Sequence, residues 1–594
     1  MQPDTMLTGM RWQTSAYCDT ILYRVSRRLL FSPAATASTC DSQLFTGSGV
    51  LGTAPCLASP RLASDYLFGR GRSLKELHHE LQGWQILQAL AEWVGNDEMA
   101  WADGIARQNQ ASAAACQDIF NREDALVRLP TVKLDCLLSF LPRRIRKALR
   151  GNMGSDDAYL LTATQALARI RAGELTIEGY ARSLLRRIDV RDADVGAWAY
   201  LDRDYVLQQA RALDKVPMQD RGPLHGMPVA VKDVIYTKDM PTAHNSPIYK
   251  GDFPKLDAAS IILLRHAGVL FLGKTTTAEF AASYTGPAST RNPHNPSRTP
   301  GGSSSGSGAA VGDLQAPVAL GTQTGGSTIR PGSFNGVYSI KPTWNAVSRE
   351  GLKISSLMLD TIGIFARGVD DLDLVADAFA LRDDEPSDFD GIKGARFALC
   401  KTVVWPVAGE GTRNAIARAV EILRAHGAEV EEVDLPTEFD NLPRWHNVVL
   451  QTEGETFFLP EHRTAKDQLS PQLAGYVERK AGYDRREQLK AFDGIAALRP
   501  KIDEIAGKYT AILTPSVVDE APVGLEFTGD SAFCVGWSAL HTPVINIPGF
   551  QGHSGMPIGV SLVAPRYRDR HLLKVAKEVG KLFEAEGGWK RNLY

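Results

Sequence analysis

From Leu160 onward, helical stretches alternate with short apolar, β-branched runs. That alternation confines the chain to a sheet with helices packed on its faces. The runs are Val229–Val231, Val269–Leu272, Val318–Leu320, Arg396–Leu399, Ile512–Leu513, Val544–Ile547 and Ile558–Leu562. They predict an α/β fold whose large, mixed, mostly parallel and twisted sheet is covered by helices on both faces. Thr162 followed by Gln165 three residues on has the form of a capping box, and Thr176 opens a second helix. No internal repeat is present.

A chain of 594 residues exceeds one typical core, so an extension or a further domain is expected. Residues 1–72 contain no lysine and many Ser and Thr, and they read as a disordered extension. The basic and apolar stretch Tyr23–Leu30 gives them a targeting-like alternative. Residues 73–154 carry Leu74, Leu77, Leu81 and Ile86 near helical spacing and form a helical region of unknown role. The segment 151–157 supplies Gly, Asn, Ser and Asp as a linker, and 155–594 is the expected catalytic domain. With 66 Lys and Arg against 68 Asp and Glu, no basic excess calls for nucleic acid or an anionic membrane. The best apolar run, Ile261–Leu272, is interrupted by Arg265 and His266 and is too short to span a bilayer. Seven cysteines, five of them in the first 150 residues, fit a reducing compartment better than a disulfide framework. The expected location is cytoplasmic, with mitochondrial targeting by the extension as the alternative. The twelve histidines form no HExxH or HxxxH pair, so neither a metal site nor a cofactor is expected.

Three islands carry chemistry. The first, Gly301–Gly308, is rich enough in Gly and Ser to be a linker, yet it lies inside regular α/β patterning and lacks the Gly-Lys-Ser/Thr ending of a P-loop. The second, Gly321–Pro331, follows the strand-like Val318–Leu320. Its two glycines before Ser327 allow a sharp turn on which backbone N–H groups converge on an anion, and Pro331 suits the first turn of a helix. The third, Pro228–Val234, ends an apolar strand on Lys232. A surface ion pair is the ordinary reading of such a lysine; if buried, it can sit neutral and accept a proton. No strand precedes Gly306-Ser307-Gly308 closely enough for a nucleophile elbow, and His225, His244 and His294 read as loop or supporting residues.

Together the islands resemble the amidase-signature family, whose catalytic group is Ser–cis-Ser–Lys. The resemblance runs from about Leu160 to the C-terminus. It includes His225–Asp233, Leu272–Thr275, Arg291–Pro296, Leu359–Gly363 and Gly555–Val560. It implies Ser327 as nucleophile, Ser303 after a cis peptide bond from Gly302 as the bridge, and Lys232 as the base. It further implies an oxyanion hole from the N–H groups of Thr324, Gly325, Gly326 and Ser327, with Ser304, Thr322 and Arg330 in support. Arg330 is also a candidate for orienting a substrate carboxylate. Many members carry an acid where this chain has Gln323 and place Arg two residues after the nucleophile, whereas Arg330 is three after Ser327. This variant resembles free-standing small-amide hydrolases more than the amidotransferase component that supplies ammonia for misacylated tRNA. The expected activity is therefore hydrolysis of a small-molecule amide through a seryl acyl-enzyme. The alternative is an amidotransferase-type subunit releasing ammonia for a partner enzyme, and a non-enzymatic scaffold is the remaining rival. The resemblance also allows a homodimer.

Overall fold

The computed structural model describes residues 157–593, apart from 288 and 592. The two regions expected at 1–72 and 73–154 lie outside the described residues.

Eleven strands form one sheet. They are β1 (Trp198–Tyr200), β2 (Pro228–Lys232), β3 (Leu270–Thr275), β4 (Val318–Gln323), β5 (Tyr338–Lys341), β6 (Thr361–Ala366), β7 (Arg396–Leu399), β8 (Glu429–Glu432), β9 (Ala511–Pro515), β10 (Val544–Gln551) and β11 (Pro557–Val563). Their spatial order is β1-β3-β2-β4-β6-β5-β10-β11-β9-β7-β8. The mixed sheet is as expected, but "mostly parallel" needs correcting. Four pairings are parallel, at β3-β2-β4 and β9-β7-β8. Six are antiparallel. The reason is local: β10 and β11 are joined by a short turn, which forces an antiparallel pair, and β5 and β6 lie between them and β4.

Alternation along the strands assigns the two faces. Val229, Val231, Val318, Leu320, Ile364, Ile545, Leu562 and Leu513 share one large core with helices Ala259–His266, Val369–Ala378, Glu410–Ala425 and Asp569–Glu586. The intervening residues face two separate cores on the other side. Ala230, Leu270, Leu272, Ala319 and Phe365 meet helices Ile177–Val195, Arg203–Asp214 and Ser305–Gly312. Ala398, Ile512, Val544 and Val563 meet helices Leu442–Phe457, Arg485–Ala506 and Ala532–Ala539. Burial of one large apolar side chain such as Phe365 contributes about 1.5–3 kcal/mol, so these layers dominate stability. Among the described residues no helix is long and apolar enough to cross a membrane.

Both ends of the capping box form: Thr162 Oγ1 accepts from the Gln165 N–H, and Gln165 Oε1 accepts from the Thr162 N–H. The Gly-Ser island is no linker. Its second half opens the fully buried helix Ser305–Gly312. A Cβ at Gly306 would collide with the Ala197 carbonyl and with Thr276, so only glycine lets this helix lie against β1 and β3.

Candidate active site

Parallel pairing brings the islands together. In the β2–β4 ladder Val231 lies opposite Leu320, so Lys232 and the segment beyond Leu320 emerge side by side at the carboxyl ends of adjacent strands. Open α/β sheets place their ligands at such ends. The loop before helix Ser305–Gly312 completes the corner, and the Gly302–Ser303 peptide is cis. Lys232 Nζ donates to Ser303 Oγ at 2.8 Å and to Thr322 Oγ1 at 2.6 Å. Ser304 Oγ donates to the Thr322 carbonyl at 3.1 Å and accepts from the Thr322 N–H at 3.2 Å, tying the Gly-Ser loop to β4.

Lys232 is fully buried, and burial pushes its ammonium well below the usual lysine range. Asp360 opposes that shift and Arg330 adds to it. Both hydrogen-bond partners of Nζ are neutral hydroxyls, so nothing in contact holds a proton on it. The Lys232–Ser303 half of the expected relay is therefore formed. The other half is not: among the described residues no hydrogen bond joins Ser303 to Ser327, and Ser327 keeps 7% of its surface open.

The turn after β4 is held from behind. Gln323 Oε1 accepts from the N–H groups of Thr328 and Ile329 at 2.9 and 3.0 Å, and Gln323 Nε2 donates to Ser538 Oγ at 3.0 Å. Ser538 Oγ in turn donates to the Gly325 carbonyl at 2.7 Å. Thr324 Oγ1 donates to Asp360 Oδ1 at 2.6 Å, and His446 Nε2 donates to the Thr324 carbonyl at 3.0 Å. Among the described residues the N–H groups of Gly325, Gly326 and Ser327 have no internal acceptor, which is what an oxyanion hole requires of its donors. Gly326 is compulsory: a Cβ there would lie 2.8 Å from Ser531 Cβ and 3.1 Å from Cys534 Sγ.

Arg330 is buried, and its guanidinium donates to the Gly302 carbonyl and, at 3.2 Å, to Thr528 Oγ1. It braces the peptide that presents Ser303. Its Nε has no partner. The three histidines noted in the sequence are structural. His225 and His294 bond to the carbonyls of Leu213 and Asn335, and His244 stacks on Phe280. Sequence reasoning missed Asp360 as a partner of Thr324, and it missed His446, Thr528 and Ser538 altogether. Among the described residues no group of three His, Cys, Asp or Glu side chains could hold a metal ion.

Comparison with known proteins assigns the chain to a family with this sheet and this corner. A family model described as Amidase matches residues 180–573. The Glutamyl-tRNA(Gln) amidotransferase A subunit of Carboxydothermus hydrogenoformans is 32% identical over 472 residues, 71% of this chain and 96% of that protein. Among solved structures, the native peptide amidase of Stenotrophomonas maltophilia aligns at 27% identity with a TM-score of 0.60. That alignment covers 73% of this chain and 98% of the other. The Glutamyl-tRNA(Gln) amidotransferase A subunit of Thermotoga maritima aligns at 27% identity and TM-score 0.60, over 71% of this chain and 95% of that one. The chain belongs to the amidase-signature family.

Proposed function

We propose that this chain cleaves a carboxamide through a seryl acyl-enzyme on Ser327. The observation that carries the reading is the buried Lys232 amine hydrogen-bonded at 2.8 Å to Ser303, beside a serine whose turn offers three unpaired N–H groups. A serine hydroxyl is a weak nucleophile until a base accepts its proton. Lys232 takes the proton of Ser303 as Ser303 takes that of Ser327, and Ser327 Oγ bonds to the amide carbon. The carbonyl oxygen becomes an oxyanion facing the N–H groups of Thr324, Gly325, Gly326 and Ser327. The C–N bond then breaks as the relay returns the proton to nitrogen, releasing ammonia or an amine. Water, deprotonated by the same relay, attacks the acyl carbon, and the carboxylate leaves as Ser327 regains its proton.

The fate of the nitrogen separates two readings. A free-standing hydrolase releases it to solvent, in keeping with Gln323 and the displaced Arg330. The amidotransferase reading sends ammonia to a partner protein, and it is favoured by the names of the curated relatives, amidotransferase A subunits that this chain matches over nearly their whole length. One assay separates them. The purified chain is given a panel of primary and aryl amides, glutamine included, beside Ser327→Ala and Lys232→Ala. Ammonia or amine release that both variants abolish supports the hydrolase. Release that appears only with a co-purifying partner supports the amidotransferase. Release that persists in Ser327→Ala refutes the acyl-enzyme under both.

A further inference from the structure

The donors of an oxyanion hole are backbone N–H groups, and a backbone N–H cannot be aimed without aiming the carbonyl of the same peptide. In a trans peptide the two point in opposite directions, so a hydrogen bond that captures the carbonyl on one side fixes the direction of the N–H on the other. Both peptides flanking Gly325 are captured in this way. His446 Nε2 donates to the Thr324 carbonyl at 3.0 Å, which sets the direction of the Gly325 N–H. Ser538 Oγ donates to the Gly325 carbonyl at 2.7 Å, which sets the direction of the Gly326 N–H.

Neither captor belongs to the islands that carry the chemistry. His446 sits on helix Leu442–Phe457 and Ser538 on helix Ala532–Ala539, and both helices pack in the core over the far half of the sheet. Each is buried, His446 at 4% exposure and Ser538 at 1%. His446 is also packed against the turn, with Cε1 3.6 Å from where a Gly325 Cβ would lie. Burial lowers the imidazole to about 4, so it is neutral in ordinary buffers, and a carbonyl partner requires the proton to be on Nε2. Ser538 is oriented in its turn by Gln323 Nε2, leaving its own proton for Gly325.

From this arrangement we infer that His446 and Ser538 are positioning residues of the oxyanion hole, aiming the N–H groups of Gly325 and Gly326 from the rear. They touch no substrate and transfer no proton. Their effect falls on the step in which negative charge develops on oxygen, not on binding of the ground state. The inference rests on Ser327 being the nucleophile.

The test is the kinetics of covalent labelling by a fluorophosphonate, whose phosphoryl oxygen gains charge as the serine attacks. Saturation curves separate the maximal labelling rate from the concentration giving half of it. The full-length wild type, Ser327→Ala, His446→Ala, His446→Gln and Ser538→Ala are compared, each with its melting curve. Wild type labels and Ser327→Ala does not. His446→Ala and Ser538→Ala lose about tenfold to 100-fold in maximal rate with half-saturation little changed. His446→Gln, whose amide nitrogen can reach the same carbonyl, recovers most of the loss. Two results overturn the inference: alanine variants that label at the wild-type rate, or His446→Gln as slow as His446→Ala while both melt as the wild type does. If the wild type itself fails to label, the nucleophile assignment falls first and the inference with it, an outcome distinct from either.

Discussion

Lys232 has only neutral hydroxyls within hydrogen-bonding reach, and its burial makes the charged form costly. Two pH dependences follow. The proposed relay needs the free amine, so it predicts that amide cleavage rises with pH through the lowered lysine pKa and then levels. Stability moves in the same direction. The unfolded lysine holds its proton up to about pH 10.4, whereas the folded one has already lost it. Between the two values the unfolded state binds more protons, so stability grows as pH rises across that window and is least below the folded pKa. Lys274, lowered to about 8, and Lys341, lowered to about 7, add slopes of the same sign. Lys232→Met should abolish activity, by about a thousandfold or more, and flatten part of the rise in urea midpoint between neutral and alkaline pH. A variant midpoint that rises as steeply as the wild type's would mean that Lys232 is charged in the folded chain. Gly326→Ala acts by sterics. The new methyl must displace Ser531 or Cys534, so kcat should fall about 100-fold and stability by about 1–3 kcal/mol, read from steady-state rates and a denaturant curve.

At the scale of elements, the link between β4 and the short helix Ile329–Phe334 turns on Gln323. Its oxygen accepts two N–H groups and its nitrogen donates to Ser538, so an amide meets both demands. A carboxylate would accept the same two N–H groups but compete with Gly325 for the Ser538 proton. Gln323→Glu should therefore keep the fold, measured by an unchanged melting temperature within a few degrees, while kcat drops about tenfold. A melting transition that collapses, or an unaltered kcat, would contradict that role. Strands β2, β3, β4, β7, β9, β10 and β11 were legible as short apolar runs because both of their faces are covered. Four strands were not. β1 has three residues, β8 is an acidic edge strand, β5 carries the buried Ser339 and Lys341, and Gly363 interrupts β6. In each, pairing with a neighbour overrides a weak local pattern. Two of the islands were legible because their glycines and serines are unusual between apolar strands, and the third because a lysine ends the apolar run Pro228–Val231. His446 and Ser538 were not, since a polar residue on the buried side of a helix carries no mark of what it will meet 122 or 213 residues away in sequence.

Over the whole molecule, the two cores on one side of the sheet divide the labour. The half containing helix Ser305–Gly312 presents Lys232 and Ser303, and the half containing helices Leu442–Phe457 and Ala532–Ala539 holds the turn bearing Ser327. The reacting corner thus lies where the two cores meet, and its geometry depends on residues spread from β2 to the helix before β10. Lys232 and Ser303 thus belong to one side and Ser327 to the other. The most direct test of the account is to quench the full-length protein during turnover of any amide it cleaves and weigh it intact, then map the modified peptide. The account predicts a mass gain equal to the acyl group, carried on Ser327 and absent from Ser327→Ala. An acyl group on another residue, or turnover by Ser327→Ala at the wild-type rate, would contradict it.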